Sequence, residues 1–226
     1  ALGAIAGPVP PAAVALKWSL PVPRHSRLAE FRVGVVLDDP DGRTTDPVGT
    51  VLSDLIDELA GRHVAISRGW PQQFDPRESQ ETFNYMIVAY LAFKFGEAGP
   101  EMTLSDLIDH DQKRTALQAL WGTYFTEVDV FLCPTVFTTA PPPDRRPIEE
   151  RTIPTAGGPR KYNDLAAWIG HASVAGLPAL TVPAGIASDG LPVGMQVIAA
   201  PYDDDTAITF AELLAEEVGG YRQPAV

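Results

Sequence analysis

Between Arg32 and Ile66 the chain switches between two apolar periodicities, and this alternation restricts the fold more than any other stretch. The segment Arg32-Val-Gly-Val-Val-Leu37 is β-branched and almost continuously apolar, as expected of a strand buried on both faces. Asp46-Pro47 then supplies a cap and a proline suited to a first helical turn. Val48, Val51, Leu52, Leu55, Ile56 and Leu59 recur at helical spacing, and Gly61 marks the stop. His63-Val-Ala-Ile66 reads as a second short strand. A strand, a helix and a strand in this order imply a right-handed crossover and parallel pairing.

The remaining chain continues the pattern. Glu78 to Phe95 reads as a helix that is apolar over much of its circumference and ends at Gly96. Thr103 can cap a short helix over Leu104 to Asp109. A longer helix then carries Leu117, Leu120, Trp121, Tyr124 and Val128 on one side. Asp129-Val-Phe-Leu-Cys133 reads as another buried strand. Residues 134–160, with seven prolines and Gly157-Gly158, read as a long structureless loop, a kind of segment that is usually functional or mobile. A helix near Asp164 to Val174, strands at Ala179 to Val182 and Val193 to Ala199, and a helix from Asp204 to Val218 complete the chain. The two late strands, joined through Gly185 to Gly190, can pair antiparallel. The expected class is therefore α/β, layered α/β/α, with a mixed and largely parallel sheet.

Composition removes several function classes. The net charge is -12, with 29 acidic residues against 17 Lys and Arg, which argues against a nucleic-acid partner. Cys133 is the single cysteine, so neither an internal disulfide nor a cysteine zinc site is available, and a reducing, cytoplasmic setting fits. Apolar runs are too short or too broken by proline to span a bilayer. None of the eight serines sits in a glycine-flanked nucleophile turn; Ser53, Ser105 and Ser188 suit helix surface or turn positions. The four histidines lack a second ligand at metal spacing, so no metal site is expected. His171, which follows the proline-rich stretch, is read as a satisfied helix histidine in preference to a pocket residue. Asp203-Asp204-Asp205 is read as a cap with favourable charges at a helix N-terminus, not as a cation site. Cys133 ends an apolar strand without a local base and is read as inert.

The second half nevertheless carries motifs that resemble those of the amidase-signature family. Asp129-Val-Phe-Leu-Cys-Pro-Thr135 resembles its strand ending at a proline beside the active site. Gly176-Leu-Pro-Ala-Leu-Thr-Val-Pro-Ala-Gly185 and Asp189-Gly-Leu-Pro-Val-Gly-Met-Gln196 resemble its paired late strands, and Asp203 to Glu217 its final helix. Phe31-Arg-Val-Gly-Val-Val36 resembles the strand that opens this half. The resemblance implies that residues 1–226 form the C-terminal portion of a single amidase-signature domain, interrupted by the proline-rich loop at about 134–160. It implies amide hydrolysis through a serine acyl-enzyme, whose lysine and two serines lie in an upstream segment. Accordingly, no catalytic residue is assigned here, and this chain alone is expected to be inactive.

By the same resemblance this half supplies a wall of the substrate pocket. Cys133 and Val136 match positions facing the acyl site, Phe83, Met86 and Ile87 offer an apolar lining, and Tyr162 and Trp168 would shape the entrance. Ser173 stands where many relatives have Asn, so their substrate contacts do not transfer to it. The expected partners are a small-molecule amide and the upstream portion of the same protein, with a homodimer as a further option. Nucleic acid, membrane and cofactor are not expected. Two alternatives stay open: the amidase subunit of a glutamine-dependent amidotransferase, and a non-catalytic binding or scaffold fragment of the same fold.

Overall fold

The computed structural model describes residues 6–40, 42–96, 102–221 and 223. In chain order it contains β1 (Arg32–Val35), α1 (Asp46–Gly61), β2 (Ala65–Arg68), α2 (Pro76–Phe95), α3 (Leu104–Tyr124), β3 (Val130–Pro134), β4 (Thr152–Ile153), β5 (Arg160–Lys161), α4 (Ile169–Ala175), β6 (Ala179–Ile186), β7 (Pro192–Ala199) and α5 (Asp204–Val218). Five strands form one sheet in the order β2-β1-β3-β7-β6. β1 pairs parallel with both β2 and β3, whereas β7 pairs antiparallel with both β3 and β6. The sheet is mixed, as expected, with two parallel and two antiparallel pairings.

Alternation along β3 builds the layers. Val130 and Leu132 enter a core with Val33, Val35, Leu52, Ile56, Met195, Val197, Phe210 and Leu214, which places α1 and α5 on that face. Phe131 and Cys133 point the other way, among Trp121, Phe125, Trp168, Ala172 and Ile198, which places α3 and α4 opposite. Close approach matters at Gly34, where any Cβ would collide with the Tyr124 hydroxyl.

Several local expectations need correction. Thr45, not Asp46, is the N-cap of α1, and its side chain makes no capping bond. β2 starts at Ala65, two residues later than expected, because His63 adopts a left-handed backbone (φ 65°) just after α1. The two helices expected after Thr103 are one, started by a capping box between Thr103 and Asp106, and Val128 lies beyond its end. Residues 134–160 are not structureless: Phe137 and Ile153 are buried, and β4 pairs with β5 through Thr152–Lys161 and Ile153–Arg160. The helix near 164–174 is a 3-10 turn at Tyr162–Ala166 followed by the short α4. α2 starts at Pro76, two residues earlier than expected, with the Asp75 side chain as its cap. It buries Ser79 and Thr82 while Ile87, Val88, Tyr90, Leu91, Phe93 and Phe95 are exposed.

A buried carboxylate closes one end of the sheet. Asp129, which precedes β3, accepts hydrogen bonds from the Arg32 backbone N–H (2.8 Å) and from the Arg32 (2.7 Å) and Arg24 (3.2 Å) guanidinium groups. Burial by itself would raise its pKa, but the donors from Arg32 and Arg24 outweigh that and hold it down at about 2. Arg24 also reaches Asp203 at 2.6 Å. Asp203 therefore does not cap α5 through its side chain; it holds Arg24 and the Thr206 hydroxyl (2.6 Å). The first acid of the triplet thus serves an internal cation.

Apolar surface lies open on the outer half of α2, and in the edge strand β6 only Val182 is buried.

Candidate functional site

In a sheet with parallel strands, the carboxyl ends of neighbouring strands frame a natural crevice. Here Asp39 follows β1, Trp70 follows β2, and Thr135 and Val136 follow β3. A cleft of about 990 Å³ opens at this end. Asp39, Gly42, Trp168 and His171 contribute to its lining, α2 supplies one wall from Pro76 to Leu91, and residues 160–167 supply the other.

The inner side of the cleft is tied together by indole hydrogen bonds and ring stacking. The Trp168 Nε1–H donates to the Gly42 carbonyl at 2.8 Å, and the Trp70 Nε1–H donates to the Asp39 carboxylate at 3.2 Å. Trp70 stacks on Trp168 (5.9 Å between ring centres) and on Phe131 (5.5 Å), with the His171 ring edge-on at 5.0 Å. Gln196, from the middle of the sheet, donates to the Cys133 sulfur at 3.1 Å and to the Trp168 carbonyl at 3.4 Å. α4 approaches α2 closely because residue 170 is glycine; a Cβ there would lie 2.8 Å from Gln80 Oε1 and 2.9 Å from the Phe83 ring.

Of the expected pocket residues, Phe83, Tyr162 and Trp168 come together on this cleft. Ile87 joins them, whereas Val136 and Met86 are half-buried and not among its lining residues. Cys133 does not reach the cleft either: it is fully buried beneath the Trp168 layer, bonded to Gln196. Sequence reasoning did not single out Asp39, Trp70 or Gln80, and it favoured a packing role for His171. Position immediately after the parallel strands was the available signal for Asp39 and Trp70.

The nucleophilic possibilities near the cleft are closed. Among the described residues, Ser79 is the serine whose hydroxyl meets a histidine, at 2.9 Å from His171 Nδ1. That spacing suits a nucleophile and its base. However, Ser79 has no exposed surface, so a substrate carbonyl cannot reach it. Burial pushes His171 down to about 4, against the pull of the Asp39 carboxylate, so its ring is neutral near pH 7. The pair acts as a cross-link between α2 and α4. Burial pushes the Cys133 thiol up to about 12, against the hydrogen bond from Gln196, so no thiolate forms at neutral pH. Ser173 is occupied with the Ile169 carbonyl at 2.9 Å, within its own helix. Among the described residues no group of three or more His, Cys, Asp or Glu side chains is placed to hold a metal ion. No helix there is long and apolar enough to cross a membrane.

Known proteins give this arrangement a context. A fatty acid amide hydrolase of Arabidopsis thaliana is 32% identical over 124 residues, covering 54% of this chain and 19% of that protein. A glutamyl-tRNA(Gln) amidotransferase subunit of Xanthobacter autotrophicus is 43% identical over 49 residues, covering 22% of this chain and 10% of that protein. The crystal structure of the corresponding Thermotoga maritima amidotransferase subunit superposes with a TM-score of 0.68 at 16% identity, covering 93% of this chain and 48% of that one. In fold, then, the chain spans about half the length of that solved relative. The sequence model of the amidase family matches residues 95–208, a stretch running from the end of α2 into α5 and including all of β3, β6 and β7. The chain belongs to the amidase family.

Proposed function

We propose that this chain forms the substrate-binding part of an amide hydrolase whose nucleophile is supplied from outside it. One observation carries the reading. The chain belongs to a family of amidases and forms a cleft at the carboxyl ends of its parallel strands, yet the Ser79 and Cys133 side chains beneath it are fully buried. The open apolar surface on the outer half of α2 and the uncovered edge of β6 support a second segment docking on this one. That segment is either the upstream portion of the same protein or a separate chain. A serine oxygen brought by it attacks the amide carbonyl, with backbone N–H groups holding the oxyanion. The C–N bond then breaks, ammonia or an amine leaves with a proton, and water releases the carboxylate from the acyl-enzyme. A single, fully buried free thiol is in keeping with a reducing, cytoplasmic setting.

The test is covalent labelling. A serine-directed fluorophosphonate should leave this 226-residue chain unmodified and should label the assembled protein at a serine outside it. Stoichiometric labelling of a serine within this chain would overturn the proposal. A second reading, the amidase subunit of a glutamine-dependent amidotransferase, is favoured by the 43% identity over 49 residues, while the net charge of -12 speaks against an RNA-bound assembly. Hydrolysis of a free carboxamide by the assembled protein without RNA would select the first reading; turnover only with an aminoacylated RNA would select the second.

A further inference from the structure

The proline-rich stretch builds a second hollow beside the cleft. It has a volume of about 660 Å³, and Pro141, Pro142, Pro143, Arg146, Arg151 and Tyr162 contribute to its lining. Tyr162 lines the cleft as well, so the two spaces share this ring. Three consecutive prolines form an apolar wall without a backbone N–H, which leaves recognition of a polar ligand to the side chains.

The charge of this region runs against the rest of the chain. Residues 145–161 hold five of its 17 Lys and Arg and two of its 29 acids, in a molecule of net charge -12. Two of these cations are matched locally. Asp144 Oδ2 accepts from Arg146 at 2.7 and 3.1 Å, and Asp164 meets Arg160 at 3.3 Å. Arg151 differs. Among the described residues its side chain meets the Arg146 carbonyl, at 2.6 Å from Nε, and the face of the Tyr162 ring, 5.4 Å from the guanidinium carbon. Neither contact is with a carboxylate. With Nε engaged and the guanidinium set over the ring, the two terminal NH2 groups keep the fork that fits a carboxylate through parallel hydrogen bonds.

We propose that this hollow binds an organic carboxylate, its charge on Arg151 and its apolar body against the wall of Pro141, Pro142 and Pro143. The site stands on that geometry; its use in turnover rests on the amide-hydrolase reading above. Two sources share this chemistry. One is the acid released when an amide is cleaved, held past Tyr162 on its way out of the cleft. The other is a remote carboxylate on an amide that lies across Tyr162.

NMR titration of the 226-residue chain with benzoate and with its neutral isostere benzamide tests the site. Benzoate should shift the Arg151 Nε–H resonance and bind there about tenfold more tightly than benzamide. Arg151→Gln should lower benzoate affinity about tenfold, and Arg151→Lys, which keeps the charge without the fork, about threefold. Arg146→Gln, whose parent cation Asp144 already holds, should change it by less than about twofold. Unfolding midpoints of the three variants, expected to match the wild type, separate lost binding from lost folding. Equal affinity for benzoate and benzamide, a silent Arg151 resonance, or equal losses in Arg151→Gln and Arg146→Gln overturns the proposal. Terephthalamate, a carboxamide with a remote carboxylate, assigns the source. Affinity equal to that of benzoate marks the released acid, affinity about tenfold higher marks a carboxylate-bearing amide, and both support the site. Because binding is read without turnover, benzoate bound at Arg151 in an assembled protein that no fluorophosphonate labels would sink the hydrolase reading alone.

Discussion

The two ends of the parallel strands are built on opposite plans. At the amino end, Asp129 is buried and receives Arg32, Arg24 and His25, so a full charge is balanced inside the protein. At the carboxyl end, the buried polar groups are a serine hydroxyl on an uncharged imidazole, and indole N–H groups on a carbonyl and on the Asp39 carboxylate. The first arrangement uses donors to saturate an acceptor and leaves no room for a ligand. The second supports a cleft wall and leaves one side open. Charge pairing is thus concentrated at one end, and the opening lies at the other, where the sheet geometry favours binding.

The comparison breaks most sharply at Asp129. Replacing Asp129 with Asn removes the buried charge that Arg32 and Arg24 converge on, and should cost about 2–4 kcal/mol in urea unfolding. Amide binding at the opposite end should persist under native conditions. A loss below about 1 kcal/mol would show that the amino end is not the stronger closure.

Acid should separate the two ends by pH window. His171 has its folded pKa lowered to about 4, so the unfolded chain takes up the proton first. Its contribution should therefore erode as pH falls from about 6.5 towards 4, on the order of 3 kcal/mol in total. Asp129 is also held low, at about 2, but as an acid its stabilisation is fully present above the unfolded carboxylate pKa of about 4. That part is lost only as pH falls from about 4 towards 2. Stability measured against pH for His171→Gln should be flatter between 6.5 and 4 and unchanged below; an identical slope in wild type and variant would remove His171 from the account.

The smallest expected effect sharpens the description of the cleft. Trp168→Phe keeps the ring stack on Trp70 but deletes the donor to the Gly42 carbonyl, which should cost about 1 kcal/mol. Faster hydrogen exchange should appear in residues 37–45 and not in the core strands. Uniform acceleration across β1 and β3 would mean that the loop is not held by this bond.

Much of the fold could be read from local pattern. The β1-α1-β2 unit, the antiparallel β6-β7 pair and the bounds of α5 follow from periodicity and punctuation that lie within each segment. The cleft could be read only in part. Phe83, Tyr162 and Trp168 came through the family resemblance, but Asp39 and Trp70 meet them only because β1 and β2 are adjacent and parallel, an order no local periodicity encodes. Cys133 shows a second limit. Alternation settles which face of the sheet a side chain takes, and says nothing of the Trp168 layer lying over it. For α2 the apolar content was legible but not its orientation: α3 and α4 pack against its Ser79 side and leave the aliphatic side open.

Arg24 also has a kinetic meaning. Its bond to Asp203 joins residues 179 positions apart, and its backbone N–H reaches Thr206 across 182. Contacts of such separation can form only after most of the intervening loop has been closed, so they reward the chain late. A clasp made after the folding barrier does little to speed folding, but it must be undone for the chain to come apart. Replacing Arg24 with Ala is therefore expected to raise the unfolding rate more than it lowers the folding rate, as α5 is released from the sheet sooner.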